Sequence, residues 1–168
     1  MQISVIGSSE ASKEVLDLAE QVGKEIAKAG ATLICGGTGG VMEAACRGAH
    51  SEEGITVGIL PNGKDGANKY VDIKIQTHLG HMRNSLVASS GDAVIAIAGS
   101  LGTLSEVMFA MTFNKPIILL SGSGGISDYW ETFSKLPEIK DKAEYFNANI
   151  SFAKTPKEAV ELALKEIT

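Results

Sequence analysis

The strongest constraint on the fold is an apolar run that passes directly into a glycine turn. Residues Ala93 to Ala98 are all apolar, and Gly99-Ser-Leu-Gly102 follows them before a helical pattern begins at Thr103. A continuous apolar run of this length is typical of a strand that is buried on both faces of a sheet. The segment therefore predicts a strand, a tight turn and a helix whose N-terminus points into the turn.

The same order of strand, turn and helix recurs along the chain. Strand-like apolar runs cover seven segments: Gln2–Gly7, Thr32–Cys35, Ile55–Leu60, Val71–Ile75, Ala93–Ala98, Pro116–Leu120 and Asn149–Phe152. Helical patterns cover six: Val15–Ile26, Val41–Ala49, Met82–Ser90, Thr103–Phe113, Ser127–Ser134 and the segment that starts at the capping box Thr155–Glu158. This alternation favours an α/β fold, a doubly wound parallel sheet with helices on both faces. No linker-like segment interrupts it, so residues 1–168 are predicted to form a single domain.

In a sheet of this kind, ligands bind beyond the carboxyl ends of the strands, where the strand order reverses. Glycine turns follow several of the predicted strands and should lie at that edge. Glycine permits positive φ and close backbone approach, while the free N–H groups and dipole of a helix N-terminus favour an anion. The residues predicted to bind a phosphorylated ligand are Gly7, Ser8, Gly36, Gly37, Thr38, Gly39, Gly40, Gly99, Ser100, Gly102 and Thr103.

The glycine run Gly36–Gly40 has a second interpretation, in which it only allows a helix to pack closely on the sheet. Two familiar nucleotide motifs are disfavoured. The first turn lacks G-x-G-x-x-G and no carboxylate follows Cys35, which argues against an ordinary NAD site. The segment Gly58–Asp65 resembles a Walker loop, but Asp65 stands where that loop needs a hydroxyl for magnesium.

Two charged residues accompany the glycine turns. Arg83 lies in the first turn of a predicted helix, where the helix dipole disfavours a cation, so an anionic partner explains it better. That partner is a ligand phosphate or a carboxylate such as Glu106. For Glu106 two roles stay open: a catalytic carboxylate, or the last residue of a Thr103-x-x-Glu106 capping box at the helix start.

Composition excludes several other classes of function. The net charge is −5 and no stripe of Lys or Arg stands out, which disfavours nucleic acid as a partner and with it a DNA-handling role. No apolar run approaches membrane length and the N-terminus has no secretory signal, so neither a membrane partner nor secretion is expected. Cys35 and Cys46 show neither metal spacing nor a disulfide framework, which predicts a reduced, cytoplasmic setting.

The spacing of His78 and His81 is metal-like, but only Asp72 lies near them in sequence, so no metal site is predicted.

The helix from Thr103 to Phe113 is apolar nearly all round. Such a helix must be buried on more than one side. The sheet covers one side, and a second copy of the chain is expected to cover another, so the protein is predicted to be a homo-oligomer, a dimer or larger.

Taken in chain order, Gly36–Met42, Arg83 and Gly99–Glu106 resemble the corresponding motifs of LOG-type Rossmann proteins, a group historically labelled "lysine decarboxylase". The likeness spans roughly Met1 to Ser121 and is closest to the branch of molybdenum cofactor carrier proteins. LOG enzymes carry the motif P-G-G-x-G-T-x-x-E with an Arg-Lys pair, and they hydrolyse the N-glycosidic bond of nucleoside 5′-monophosphates such as cytokinin ribotides.

The resemblance implies that the glycine turn and Thr103 hold phosphate and that Arg83 and Glu106 form the catalytic pair. The sequence departs from the LOG pattern at three positions, where Ala98 replaces proline, Ser100 replaces glycine and Asn84 replaces lysine.

These departures leave the anion-holding glycines in place but remove one cation from a site whose chemistry depends on preorganised charge. Binding of a phosphorylated, nucleotide-like ligand is therefore favoured, either a nucleoside monophosphate or a molybdopterin-type cofactor. The molybdenum cofactor enters as a candidate bound ligand, and no cofactor is otherwise required. The alternative is a LOG-type phosphoribohydrolase that uses Arg83 and Glu106.

Overall fold

The computed structural model describes residues 1–140 and 149–167. Its strands are β1 (Gln2–Gly7), β2 (Thr32–Cys35), β3 (Thr56–Leu60), β4 (Ile73–Gln76), β5 (Ala93–Ile97), β6 (Ile117–Leu120) and β7 (Ile150–Ala153). They form one seven-stranded sheet in the order β4-β3-β2-β1-β5-β6-β7. Every pair of neighbouring strands is parallel.

Helices cover both faces of this sheet. They are α1 (Lys13–Lys28), α2 (Val41–Ser51), α3 (Asn84–Ser90), α4 (Leu101–Thr112), α5 (Gly125–Ser134) and α6 (Pro156–Ile167). On one face, α1, α2 and α6 pack on strand residues such as Val5, Leu33 and Ile95. On the other, α3, α4 and α5 pack on residues that include Ile34 and Val94. The predicted doubly wound α/β fold is therefore confirmed.

The strand order reverses between β1 and β5, which lie side by side in the middle of the sheet. Their register pairs Ile3 with Ala93 and Gly7 with Ile97, so both strands end at the same edge. A Cβ on Gly7 would lie 2.5 Å from the carbonyl oxygen of Ile97 and 2.6 Å from Cγ1 of Val41. Only glycine allows β1, β5 and the start of α2 to approach this closely.

The helix starts differ from the sequence prediction by a few residues. α4 begins at Leu101, two residues before the predicted start at Thr103. The prediction began too late because glycine has a low helix propensity, so Gly102 was assigned to the turn. A 3₁₀ turn, Gly80–Arg83, precedes α3, so Arg83 lies just before the helix rather than inside it. In the part of the chain that the structure describes, no helix is both long and apolar enough to cross a membrane.

Candidate functional site

A cavity of about 310 Å³ lies where the loops after β1 and β5 diverge. This volume is at the lower end of the range of about 300–1,000 Å³ that is usual for small-molecule sites. The chain contributes to its wall from five regions: the loop after β1, the turn between β2 and α2 with the first turn of α2, the residue after β3, the segment that leads into α3, and the first two turns of α4. The lining residues are Gly7, Ser8, Ser9, Thr38, Met42, Pro61, His81, Arg83, Asn84, Ser100, Gly102, Thr103 and Glu106.

The turn after β5 is bent tightly by two residues with positive φ. Ala98 has φ of 53° and Gly99 has φ of 97°. A non-glycine residue in this region costs roughly 1–2 kcal/mol. The loop after β6 and the start of α5 stabilise the conformation, because the Ala98 N–H donates to Ser123 Oγ at 2.7 Å and the Ile126 N–H donates to the Gly99 carbonyl at 2.9 Å.

This turn places the N-terminus of α4 at the wall of the cavity. Ser100 is the N-cap residue, and its side chain makes no capping hydrogen bond. Gly102 and Thr103, in the first turn of α4, line the cavity. Backbone N–H groups in a first helical turn have no partner within the helix, so they are available to an anion.

Arg83 is buried at the junction of three segments. Its Nη1 donates to Asn84 Oδ1 at 2.6 Å and to Glu106 Oε1 at 3.3 Å, and its Nη2 donates to the Gly36 carbonyl at 3.5 Å. The Nε atom is buried without a hydrogen-bond partner among the described residues. A Cβ on Gly36 would lie 2.4 Å from Nη2, so the glycine makes room for the guanidinium group.

Glu106 is also buried, with 6% of its surface exposed. Burial raises the pKa of its carboxyl group to about 7, while the nearby Arg83 guanidinium acts in the opposite direction. The capping interpretation of Glu106 is wrong. Ser100 occupies the N-cap position, so Thr103 is the third helical residue and Glu106 lies a full turn further on, paired with Arg83.

The glycine run before α2 serves mainly to pack the chain. Gly37 and Gly40 have positive φ, and a Cβ on Gly40 would lie 2.3 Å from the Ser8 carbonyl oxygen. That carbonyl accepts a hydrogen bond from the Val41 N–H at 2.9 Å, so the first N–H group of α2 is already used by the protein. Asn68 holds the run by donating from Nδ2 to the Gly37 carbonyl at 3.2 Å.

The structure brings most of the predicted site residues together. Those that line the cavity are Gly7, Ser8, Thr38, Arg83, Ser100, Gly102, Thr103 and Glu106. Those outside the lining are Gly36, Gly37, Gly39, Gly40 and Gly99, which shape the turns behind it. The sequence prediction left out Ser9, Met42, Pro61, His81 and Asn84. Two of these lining residues carried a signal in the sequence. Pro61 ends a predicted strand at the carboxyl edge of the sheet, and Asn84 directly follows the predicted site residue Arg83.

The described residues, 1–140 and 149–167, contain no group of three or more His, Cys, Asp or Glu placed to bind a metal ion. Cys35 and Cys46 are free and buried, with their Sγ atoms 3.5 Å apart.

A family model described as the SLOG cluster4 family matches residues 1–160. The chain belongs to the SLOG cluster4 family. This membership confirms the resemblance to LOG-type proteins that the glycine turns, Arg83 and Glu106 indicated.

Solved structures and enzymes similar to this SLOG cluster4 protein carry two kinds of description. The molybdenum cofactor binding protein of Rippkaea orientalis is 38% identical, with 99% of this chain and 97% of that chain covered and a TM-score of 0.86. The Moco carrier protein of Chlamydomonas reinhardtii is 30% identical, with coverage of 99% and 96% and a TM-score of 0.78. A cytokinin riboside 5′-monophosphate phosphoribohydrolase of Mycobacterium tuberculosis is 33% identical over 66% of this chain, and the match spans 65% of that enzyme.

Proposed function

We propose that this SLOG cluster4 protein binds a phosphorylated, nucleotide-like small molecule in the cavity between β1 and β5. The observation that carries the proposal is the uncapped N-terminus of α4, which opens into the same cavity as the buried Arg83. Both groups attract a phosphate, the helix through its N–H groups and dipole and Arg83 through its charge.

Two ligand classes share this phosphate chemistry, a nucleoside monophosphate and a molybdopterin-type cofactor. The similarity to proteins described as molybdenum cofactor binders and carriers supports the second class. In either case Gly102, Thr103 and Arg83 would hold the phosphate, while Met42, Pro61 and His81 lie on other parts of the wall and would contact the rest of the ligand. The molybdenum cofactor would then be cargo rather than a catalytic group.

The test is a binding panel read by thermal shift and calorimetry, together with mass spectrometry of any compound that purifies with the protein. The panel contains AMP, GMP, IMP and molybdopterin, with adenosine as the control that lacks phosphate. A ligand present at about 100 times its Kd adds about 2.7 kcal/mol of stability, which raises Tm by roughly 5–10 °C in a chain of this size. The proposal fails if no phosphorylated compound co-purifies and none of the panel raises Tm.

A second candidate function is phosphoribohydrolysis, because Glu106 sits in the cavity with a pKa near neutrality. A carboxyl group with this pKa can exchange protons at physiological pH. Glu106 would orient or deprotonate the attacking water, or stabilise the positive charge that develops on the ribose, while Arg83 fixes the phosphate or supports the carboxylate. The similarity to named phosphoribohydrolases supports this candidate.

Incubation with nucleoside monophosphates distinguishes turnover from binding. Hydrolysis releases the free base and ribose 5-phosphate, and each is measured by chromatography. An enzyme should lose this release in Glu106→Gln. Equal, slow release by the wild type and Glu106→Gln would rule catalysis out while leaving the binding proposal intact.

We also propose that the protein is a homo-oligomer of single-domain chains in the cytoplasm. The support is an apolar face on the outside of α3 and α4, formed by Leu86, Leu101, Met108, Phe109 and Phe113, each between 37% and 82% exposed. A second copy that buried this face would remove substantial apolar area from water. The two free thiols support a reducing compartment.

A further inference from the structure

Asn84 makes the shortest contact of the Arg83 guanidinium group, yet it was not among the predicted site residues. It is 4% exposed, and its Oδ1 accepts from Arg83 Nη1 at 2.6 Å. Because a guanidinium group has only donors, the amide oxygen must be the atom that faces it. The amide nitrogen is then directed at the other neighbours of Asn84.

Those neighbours belong to the first two turns of α4. Asn84 Nδ2 donates to Ser105 Oγ at 2.9 Å and to the Gly102 carbonyl at 3.4 Å. Ser105 Oγ in turn donates to the Gly102 carbonyl at 2.6 Å. Each group therefore acts in its proper role as donor or acceptor, and the amide joins Arg83 to the helix turn that borders the cavity.

We infer that Asn84 is a positioning residue, whose carboxamide fixes the Arg83 guanidinium group relative to the start of α4. A phosphate held by both Arg83 and the α4 N-terminus needs these two donors at a set separation, and the Asn84 side chain hydrogen-bonds both to Arg83 and to the first two turns of α4. The carboxamide is neutral, so it orients Arg83 without adding charge to the cavity. The part of this inference that concerns ligand binding rests on the proposed function. The part that concerns the orientation of Arg83 does not.

The ligand-free test follows the titration of Glu106 by ¹³C NMR of its carboxyl carbon, assigned by its loss in Glu106→Gln. Arg83 lowers the pKa of this group, so a displaced guanidinium lets the pKa rise. Asn84→Ala should move the midpoint upward by on the order of 0.5–1 pH units. Ser105→Ala removes only one anchor and should produce a smaller shift in the same direction.

The matched control is Ser89→Ala, since Ser89 Oγ donates, within the part of the chain that the structure describes, to the Leu86 carbonyl of its own helix. It should leave the Glu106 midpoint where it is in the wild type. If Asn84→Ala fails to fold, Ser105→Ala still decides the question. A midpoint that stays at the wild-type value in every folded variant of Asn84 and Ser105 would overturn the inference and leave Asn84 as a space-filling residue.

The second arm measures the affinity for AMP and for adenosine in the same variants. Loss of the oriented guanidinium group should lower the affinity for AMP on the order of tenfold and leave the affinity for adenosine unchanged. If the wild type binds AMP and Asn84→Ala binds it equally well, the role toward a ligand is overturned. If the wild type binds no phosphorylated compound, the proposed function fails, and the Glu106 titration alone then decides whether Asn84 positions Arg83.

Discussion

Nη1 of Arg83 lies 3.3 Å from Oε1 of Glu106, and both side chains are buried in the wall of one cavity. The pair joins the 3₁₀ turn before α3 to the second turn of α4, 23 residues further along the chain. Removing two charges from water is costly, and only close pairing offsets that cost. The geometry therefore has consequences for stability that can be measured without knowing the ligand.

The first consequence is a pH dependence that Glu106 imposes on folding. Its ordinary pKa is 4.5 and its pKa in the folded chain is about 7, so the folded state binds more protons between these values. The contribution of this raised pKa to the free energy of unfolding is fully present below pH 4.5 and is lost as the pH rises through 7. Relative to Glu106→Gln, the free energy of unfolding of the wild type should fall by roughly 3 kcal/mol across this window.

Urea denaturation of both proteins at half-unit steps from pH 4.5 to 8 measures this difference. Glu161→Gln is the control, because Glu161 is exposed and its substitution should give a nearly flat difference. A wild-type curve that stays flat relative to Glu106→Gln over the same range would mean that Glu106 ionises at its ordinary pKa in the folded chain, contrary to its burial.

The turn after β5 should tolerate no side chain at Gly99. A Cβ there would lie 2.4 Å from Thr103, and φ of 97° strains any other residue. Gly99→Ala should cost about 2 kcal/mol or more of stability. Gly63 offers the matched control, since its φ is −72° and a Cβ would meet nothing within 4 Å. Thermal denaturation should show Gly63→Ala at or above the wild-type Tm, and similar losses in both variants would contradict the prediction.

Ser123 should stabilise the same turn from the neighbouring loop. Its buried hydroxyl accepts from the strained Ala98 N–H and donates to the Leu120 carbonyl at 2.6 Å. Ser123→Ala leaves a buried N–H group unpaired, which should cost about 1–3 kcal/mol of unfolding free energy in urea. Ser134→Ala removes an exposed hydroxyl whose hydrogen bond among the described residues goes to the Glu131 carbonyl of its own helix, so it should change stability little. Equal effects of the two substitutions would show that the Ala98 contact is dispensable.

The apolar face of α3 and α4 should hold two copies of the chain together. Phe109→Glu places a charge in the middle of that face and should convert the oligomer to a monomer in sedimentation velocity. Gln21→Glu adds the same charge on α1, on the opposite side of the sheet, and should leave the oligomer intact. A wild type that sediments as a monomer at every concentration would reject the proposed oligomer.

The order of strands and helices was predictable because apolar runs pass directly into glycine or proline where the central strands end, as at Cys35 before Gly36 and at Leu60 before Pro61. Capping was less predictable, as two similar motifs show. Thr155-x-x-Glu158 caps α6, with the Glu158 N–H donating to Thr155 Oγ1 at 3.2 Å and the Glu158 carboxylate accepting from the Lys154 N–H at 2.7 Å. Thr103-x-x-Glu106 has the same pattern and caps nothing.

The two motifs diverge because of tertiary contacts that no local pattern contains. Glu106 lies opposite Arg83, whose orientation depends on Asn84 and on the space left at Gly36. The predicted pairing of Arg83 with an anion was an electrostatic inference from its helix position, and it named Glu106 as a candidate. The role of Asn84 depends on a distance across two helices, so spacing along the chain could not reveal it.

A double-mutant cycle should show that Arg83 and Glu106 stabilise the fold as a pair. Arg83→Met keeps most of the side-chain volume but leaves Glu106 buried without a counter-charge, so it should be most destabilising at pH 8, where Glu106 is ionised. Adding Glu106→Gln removes that charge. At pH 8 the second substitution should therefore stabilise the Arg83→Met protein by about 1–3 kcal/mol more than it changes the wild type. At pH 5 Glu106 is protonated in the folded state, and the coupling should largely disappear. Urea denaturation of the four proteins at both pH values measures the coupling, and additive effects at pH 8 would mean that the 3.3 Å contact contributes nothing to folding.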